Sequence, residues 1–274
     1  MAAPIGWLEA VILGFIQGLT EFLPVSSSAH VLIVSQLFGW QDPGAAFTAV
    51  IQIGTEAAVL VYFRRDITRI VVAWVRSFRR GGGSPESRLG WYIIIGTIPI
   101  VVLGVLFTRQ IETAARNLWL VAIVLIVFGV LLGVVDRYGK KARSLSEMRT
   151  RDGLILGLGQ ALALVPGVSR SGATITTGLA LGYTREAATR YSFLLAIPAV
   201  LGAGFYELSK IGSPTSVAWG PTLVATMISF LVGYAVIAWL LRYVSTHSFT
   251  PFVIYRVALG VLVLVLLGLG VLTA

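Results

Sequence analysis

Ile12-Leu13-Gly14-Phe15-Ile16-Gln17, followed by Pro24-Val25-Ser26-Ser27-Ser28, has a second copy far along the same chain. That copy reads Ile155-Leu156-Gly157-Leu158-Gly159-Gln160, followed by Pro166-Gly167-Val168-Ser169-Arg170-Ser171. One constant offset carries Ile12 to Ile155, Gln17 to Gln160 and Ser26 to Ser169. An internal repeat in an apolar chain predicts two halves of one fold meeting around a central site. Pro24 and Pro166-Gly167 sit in the middle of the two copies and cannot continue a helix cleanly.

The surrounding sequence sets these blocks in a membrane. Of 274 residues 57% are hydrophobic and 12% charged, against about 25% charged in a soluble domain. Mean hydropathy is +0.88. Apolar runs of spanning length fall at about 44–64, 91–108, 117–135, 186–206, 218–241 and 251–272. No cleavable signal peptide is expected, because the first residues lack a basic region and Glu9 and Gln17 interrupt the apolar pattern. The chain has no Cys, which removes disulfides, thiolate nucleophiles and Cys-based metal sites.

The net charge of +9 is concentrated between spans: Arg64, Arg65, Arg69, Arg76, Arg79, Arg80 and Arg88 in one stretch, Arg137, Lys140, Lys141, Arg143, Arg149 and Arg151 in another. Placement of this kind reads as the positive-inside rule and contact with anionic membrane lipids, and argues against nucleic acid. With both stretches cytoplasmic, segments 6–40 and 153–183 must each start and finish on one side. The predicted fold is all-α and integral to the membrane: six transmembrane helices plus two re-entrant helix hairpins entering from opposite faces, arranged as an inverted repeat. It forms one polytopic domain over 1–274, with repeat one at about 1–138 and repeat two at about 150–274. Gly81-Gly82-Gly83-Ser84-Pro85 reads as a loop, and Thr108 to Arg116 as an external one. An eight-span chain with proline kinks is the competing reading.

The breaks carry the candidate chemistry. Ser26 or Ser27, and Ser169 or Ser171, are good N-cap residues for restarted helices. Two helix N-termini meeting at mid-membrane would form an anion site. Arg170 at the second break costs about 2.5–3.5 kcal/mol in lipid, so it is expected to face an anion or water. Its guanidinium suits bidentate phosphate contact; snorkelling or pairing with a carboxylate is its structural alternative. Glu21, one helical turn after Gln17, precedes the first break, and His30 follows Ser26 and Ser27 by a turn. Hydroxyl, imidazole, carboxylate and guanidinium together suffice for phosphoryl transfer through a phosphoserine.

Gln17-Gly18-Leu19-Thr20-Glu21-Phe22-Leu23-Pro24-Val25-Ser26-Ser27 through His30 resembles the first signature of bacterial undecaprenyl-diphosphate phosphatases of the bacitracin-resistance type. Pro166-Gly167-Val168-Ser169-Arg170-Ser171-Gly172-Ala173-Thr174 resembles the second. The similarity in motif order, spacing and span layout covers the whole chain. It implies a plasma-membrane enzyme that removes the terminal phosphate of a C55 prenyl diphosphate left by cell-wall synthesis. It also implies use of a divalent cation, Mg²⁺ or Ca²⁺, and it agrees with the basic stretches, which put residues 6–40 on the outer side and predict a site reached from the outer leaflet. Ser27, His30, Glu21 and Arg170 become the catalytic candidates. Gln17, Ser26, Ser169, Ser171 and Thr174 become substrate-binding candidates, and Glu21 with Gln17 candidate metal ligands. Two departures stand out: Ser28-Ala29 replaces a Thr-Gly, and Gln17 is an allowed variant of the motif that binds metal less well than Glu. Whether His30 or Glu21 takes the Ser27 proton stays open, as does base against metal ligand for Glu21.

Glu56 belongs to neither signature and reads as a metal or proton partner, or as a buried carboxylate bonded to a neighbouring helix. The other class of function is a transporter or flippase of a prenyl phosphate carrier, since inverted repeats with broken helices describe transporters equally well. The pairing of Ser27 with His30 favours the enzyme. The type 2 phosphatidate phosphatases, which resemblance would associate with two active-site histidines, are disfavoured. Only His30 and His247 are present, and His247 lies near a span end. Oligomeric state is not legible.

Overall fold

The computed structural model describes residues 5–40, 44–80, 83–114, 117–209 and 218–273. Gly81, Gly82 and the Arg116 end of the expected external loop lie outside these. Among the described residues the chain is all helix apart from turns, with no strand beyond a single bridge between Arg143 and Tyr183. The helices are α1 (Trp7–Thr20), α2 (Ser27–Leu37), α3 (Gly44–Tyr62), α4 (Arg64–Arg80), α5 (Pro85–Leu106) and α6 (Thr108–Ala114). They continue as α7 (Leu118–Tyr138), α8 (Thr150–Ala161), α9 (Arg170–Ala180), α10 (Arg185–Ser209), α11 (Trp219–Thr246) and α12 (Thr250–Gly268).

Local chemistry sets several starts. Ser84 Oγ accepts from Ser87 N–H at 3.2 Å ahead of Pro85 at the first position of α5. Asn117 Oδ1 accepts from Leu120 N–H at 3.0 Å at the head of α7. Five helices, α5, α7, α10, α11 and α12, are long and apolar enough to cross a membrane. α3 and α4 qualify only as a pair, bent by 76°. The chain is thus a multi-pass membrane protein.

Two expectations need correction. Thr108–Ala114 of the expected external loop is the short helix α6, and most of the basic stretch 64–88, expected as a connection between spans, is helix as well. α4 turns Ile70 inward and packs Ile67 against the core, while its described arginines stay largely outside, and Asp66 pairs with Arg190 at 2.6 Å. The arginines themselves concealed this, because they were read as loop charge when they form the polar side of an amphipathic helix.

The two hairpins open at opposite ends. Ile5 and Trp40, at the ends of the first hairpin, pack into one cluster with Ala10, Leu13 and Phe47. Trp7 lies beside Gly220, at the start of α11. The second hairpin closes elsewhere: Ala142 and Arg143 N–H both donate to Gly182 O, and Arg143 Nη2 meets Asp152 at 2.6 Å. Burial and the Asp152 hydrogen bond push the Tyr183 hydroxyl above its ordinary range. Asp136 ties this end to Arg185 (2.6 Å) and to Phe249 N–H (2.9 Å), just past the end of α11. α11 has 28 residues, which separates its two ends by about 42 Å.

Packing runs crosswise between the halves. α1 lies along α11, α8 along α5, and α7 along α12. Glycines make this approach possible at repeat-related positions. A Cβ on Gly14 would sit 2.5 Å from Ala225 O, and one on Gly157 would sit 2.4 Å from Gly96 O. Small residues at such crossings are how membrane helices pack without a hydrophobic driving force.

Candidate active site

Each hairpin breaks at a serine with an uncommon backbone. Ser26 has φ 73° and Ser169 φ 72°, where an L residue with a side chain pays about 1–3 kcal/mol. The same conformation at the same register of both copies turns the chain so that a helix restarts one residue later. Ser26 and Ser169 are the N-caps of α2 and α9. Ser169 Oγ accepts from Gly172 N–H at 3.1 Å, while Ser26 makes no side-chain cap. Hydroxyl pairs repeat as well: Ser26 with Ser28 at 3.3 Å, Ser169 with Ser171 at 3.2 Å.

Glu21 stands between the two breaks. Its Oε2 accepts from Gln17 Nε2 at 2.7 Å and from Ser27 Oγ at 2.6 Å. Its Oε1 accepts from Arg170 Nη2, also at 2.7 Å, so the ion pair joins the two halves. Ser171 Oγ donates across the same junction to Leu23 O at 3.0 Å. Thr174 Oγ1 donates to Arg170 O at 3.0 Å and is fully buried, supporting the first turn of α9. The candidates Gln17, Glu21, Ser26, Ser27, Arg170 and Ser171 therefore converge, with Ser169 capping the second helix beneath them.

His30 is fixed at both ring nitrogens. Its Nδ1 lies 2.7 Å from Ser26 O and its Nε2 2.7 Å from the Tyr255 hydroxyl. A carbonyl only accepts, so this geometry puts the ring hydrogen on Nδ1 and leaves Nε2 accepting from Tyr255. Ser27 Oγ donates to Glu21 and makes no hydrogen bond to His30.

Two residues on α12 escaped the sequence reading. Tyr255 orients His30. Its neighbour Arg256 is fully buried and donates to Pro24 O (3.0 Å), Gly167 O (2.9 Å), Val168 O (3.0 Å) and Leu125 O (3.3 Å). Pro24 and Gly167 are repeat-related, so one guanidinium binds matching carbonyls of both breaks. Gly172 leaves room for it: a Cβ there would lie 2.8 Å from Arg256 Nη1. A cation within the apolar run 251–272 was the available signal.

A hydroxyl bonded to a carboxylate, backed by a guanidinium and two converging helix N-termini, all within a polytopic helical bundle, defines a membrane protein built to act on an anionic group. The chain belongs to the family described as bacitracin resistance protein BacA, whose model matches residues 10–262. It is similar to the undecaprenyl-diphosphatase of Nocardioides sp., at 58% identity over 98% of this chain and all of that one. The undecaprenyl-diphosphatase of Thermobifida fusca is 57% identical over 97% of this chain and 92% of its own. Undecaprenyl-diphosphatase 2 of Agrobacterium fabrum is 58% identical, over 98% of both chains.

Proposed function

We propose that this protein is a membrane phosphatase that hydrolyses undecaprenyl diphosphate to undecaprenyl phosphate and inorganic phosphate, so recycling the cell-wall lipid carrier and conferring bacitracin resistance. The names of its relatives support the substrate. The single observation that carries the chemistry is the 2.6 Å hydrogen bond from Ser27 Oγ to Glu21. In the first step Ser27 Oγ bonds to the terminal phosphorus, the bridging P–O bond breaks, and the Ser27 proton passes to Glu21. The lipid monophosphate leaves as an anion. In the second step water attacks the phosphoserine, the Oγ–P bond breaks, and Ser27 recovers its proton from Glu21; His30 Nε2, on release from Tyr255, takes the water proton and passes it to the departing phosphate, so every group returns to its starting state. Arg170 and the N-termini of α2 and α9 stabilise charge on the phosphoryl oxygens. Gln17, Ser26, Ser169, Ser171 and Thr174 shape and line that anion site.

For the expected divalent cation the donors are few: among the described residues no group of three His or acidic side chains forms, and Glu21 is joined by an amide oxygen. Gln17 Oε1 is buried without a hydrogen-bond partner, one turn from the Glu21 carboxylate. Hard cations take such oxygens, and Mg²⁺ commonly adds substrate phosphates to one or two carboxylates. Glu21 and Gln17 would hold Mg²⁺ or Ca²⁺, which would neutralise diphosphate charge when bound. We read the halves as inverted repeats of one domain, supported by hairpins that open at opposite ends. The positive-inside rule applied to the basic segments supports a cytoplasmic open end for the second hairpin and an external one for the first. The headgroup then enters from the outer leaflet.

The test is phosphate release from a long-chain prenyl diphosphate by the purified protein in detergent. Release that EDTA lowers and added Mg²⁺ or Ca²⁺ restores is expected. No release, with prenyl phosphate crossing a vesicle bilayer instead, would favour the transporter.

A further inference from the structure

Glu56, on α3, is 0% exposed, and neither carboxylate oxygen has a hydrogen-bond partner among the described residues. Such a group contributes nothing to stability where it stands, because burying an unbonded carboxylate is costly. Its one ion-pair neighbour is Arg170, whose Nη2 lies 4.0 Å from Glu56 Oε2. Arg170 is itself incompletely used: Nη1 is buried and has no partner. Glu56 thus stands about 1 Å beyond charged-hydrogen-bond range of Nη2, the nitrogen that also bonds Glu21, while Nη1 of the same guanidinium is open. The same Nη2 is bonded to Glu21, whose other oxygen accepts from Ser27 Oγ.

Resting on the phosphatase reading, we infer that Glu56 is a positioning residue that offers Arg170 a second seat. When a phosphate enters, the guanidinium shifts from Glu21 toward Glu56 and the phosphate oxygens. Glu21 is then released from its ion pair with Arg170, which is left free to follow the phosphate oxygens. Arg170 keeps a carboxylate partner throughout, so no buried cation is left uncompensated as it moves. The change is a small one between two discrete arrangements, driven by an anion that binds one of them better. Gln17 and Ser27 stay on Glu21 in both. Glu56 touches neither substrate nor reacting atoms; it acts through Arg170.

The experiment compares Glu56→Gln and Glu56→Asp with wild-type protein for phosphate release from the same prenyl diphosphate, with a thermal melt of each in the same detergent. Glu56→Gln keeps the shape and removes the charge, so kcat should fall by about tenfold or more while KM changes little. Glu56→Asp keeps the charge and should recover much of the loss. In an Arg170→Lys background the Glu56→Gln change should cost far less, since its route of action is already damaged. Wild-type kcat in Glu56→Gln overturns the inference. So does an activity loss that only follows loss of folded protein and that Glu56→Asp leaves unrepaired. No release by the wild-type protein would remove the phosphatase reading, and this inference with it.

Discussion

Arg170 and Arg256 are both intramembrane guanidinium groups, yet their surroundings assign them opposite duties. Arg170 bonds a carboxylate and keeps a nitrogen open, so it can turn toward a phosphate. Arg170→Lys preserves the charge but loses the planar fork, and should lower kcat/KM by about a hundredfold; unchanged kcat/KM would leave Arg170 only a diffuse field. Arg256 spends its donors on four backbone carbonyls. Arg256→Met should therefore cost about 3 kcal/mol or more of stability, read as a lowered melting temperature, because carbonyls at both breaks lose their donor. An unchanged melt would show that water or relaxed backbone replaces it. Glu21 and Arg170 were legible in the sequence because a charge beside a helix break is conspicuous. Arg256 was passed over because no polar motif surrounds it, and its partners are backbone atoms that no side-chain pattern announces. The orientation of His30 was hidden for a related reason, since Tyr255 lies 225 positions away.

At the scale of helices, the repeat that was visible as Ile-Leu-Gly-x-x-Gln turns out to be a packing code as well as a site code. Gly14 and Gly157 hold the same position in the two copies, and each admits the backbone of a helix from the other half. Gly157→Val should force α8 away from α5 and cost about 1–3 kcal/mol, measured by thermal melting in detergent. A substitution at Gly104, whose nearest neighbour is a Leu164 methyl at 3.7 Å, should be mild by comparison. Equal melting shifts at the two positions would contradict the close crossing. Helix type, order and breaks could be read from prolines and apolar run length, whereas α4 could not. Its arginine content reads as loop until the inward face of Ile67 and Ile70 is known.

Over the whole molecule, crosswise packing brings a carboxylate and a hydroxyl from one hairpin to a guanidinium from the other, and neither half holds the cluster alone. The proposed topology can be checked in a chain without native Cys. Phe38→Cys, at the open end of the first hairpin, should react with an impermeant thiol reagent added to intact cells. Ser146→Cys, beside the second hairpin's open end, should react only after permeabilisation. The reverse pattern would invert the site's access. The central claim is that Ser27, relieved of its proton by Glu21, carries the phosphoryl group. The most direct measurement is acid-quenched turnover of undecaprenyl diphosphate labelled in its terminal phosphate, followed by mapping of the label on the protein. Label on Ser27 is the predicted result, together with loss of turnover in Ser27→Ala. Turnover that leaves the protein unlabelled and persists in Ser27→Ala would contradict the account.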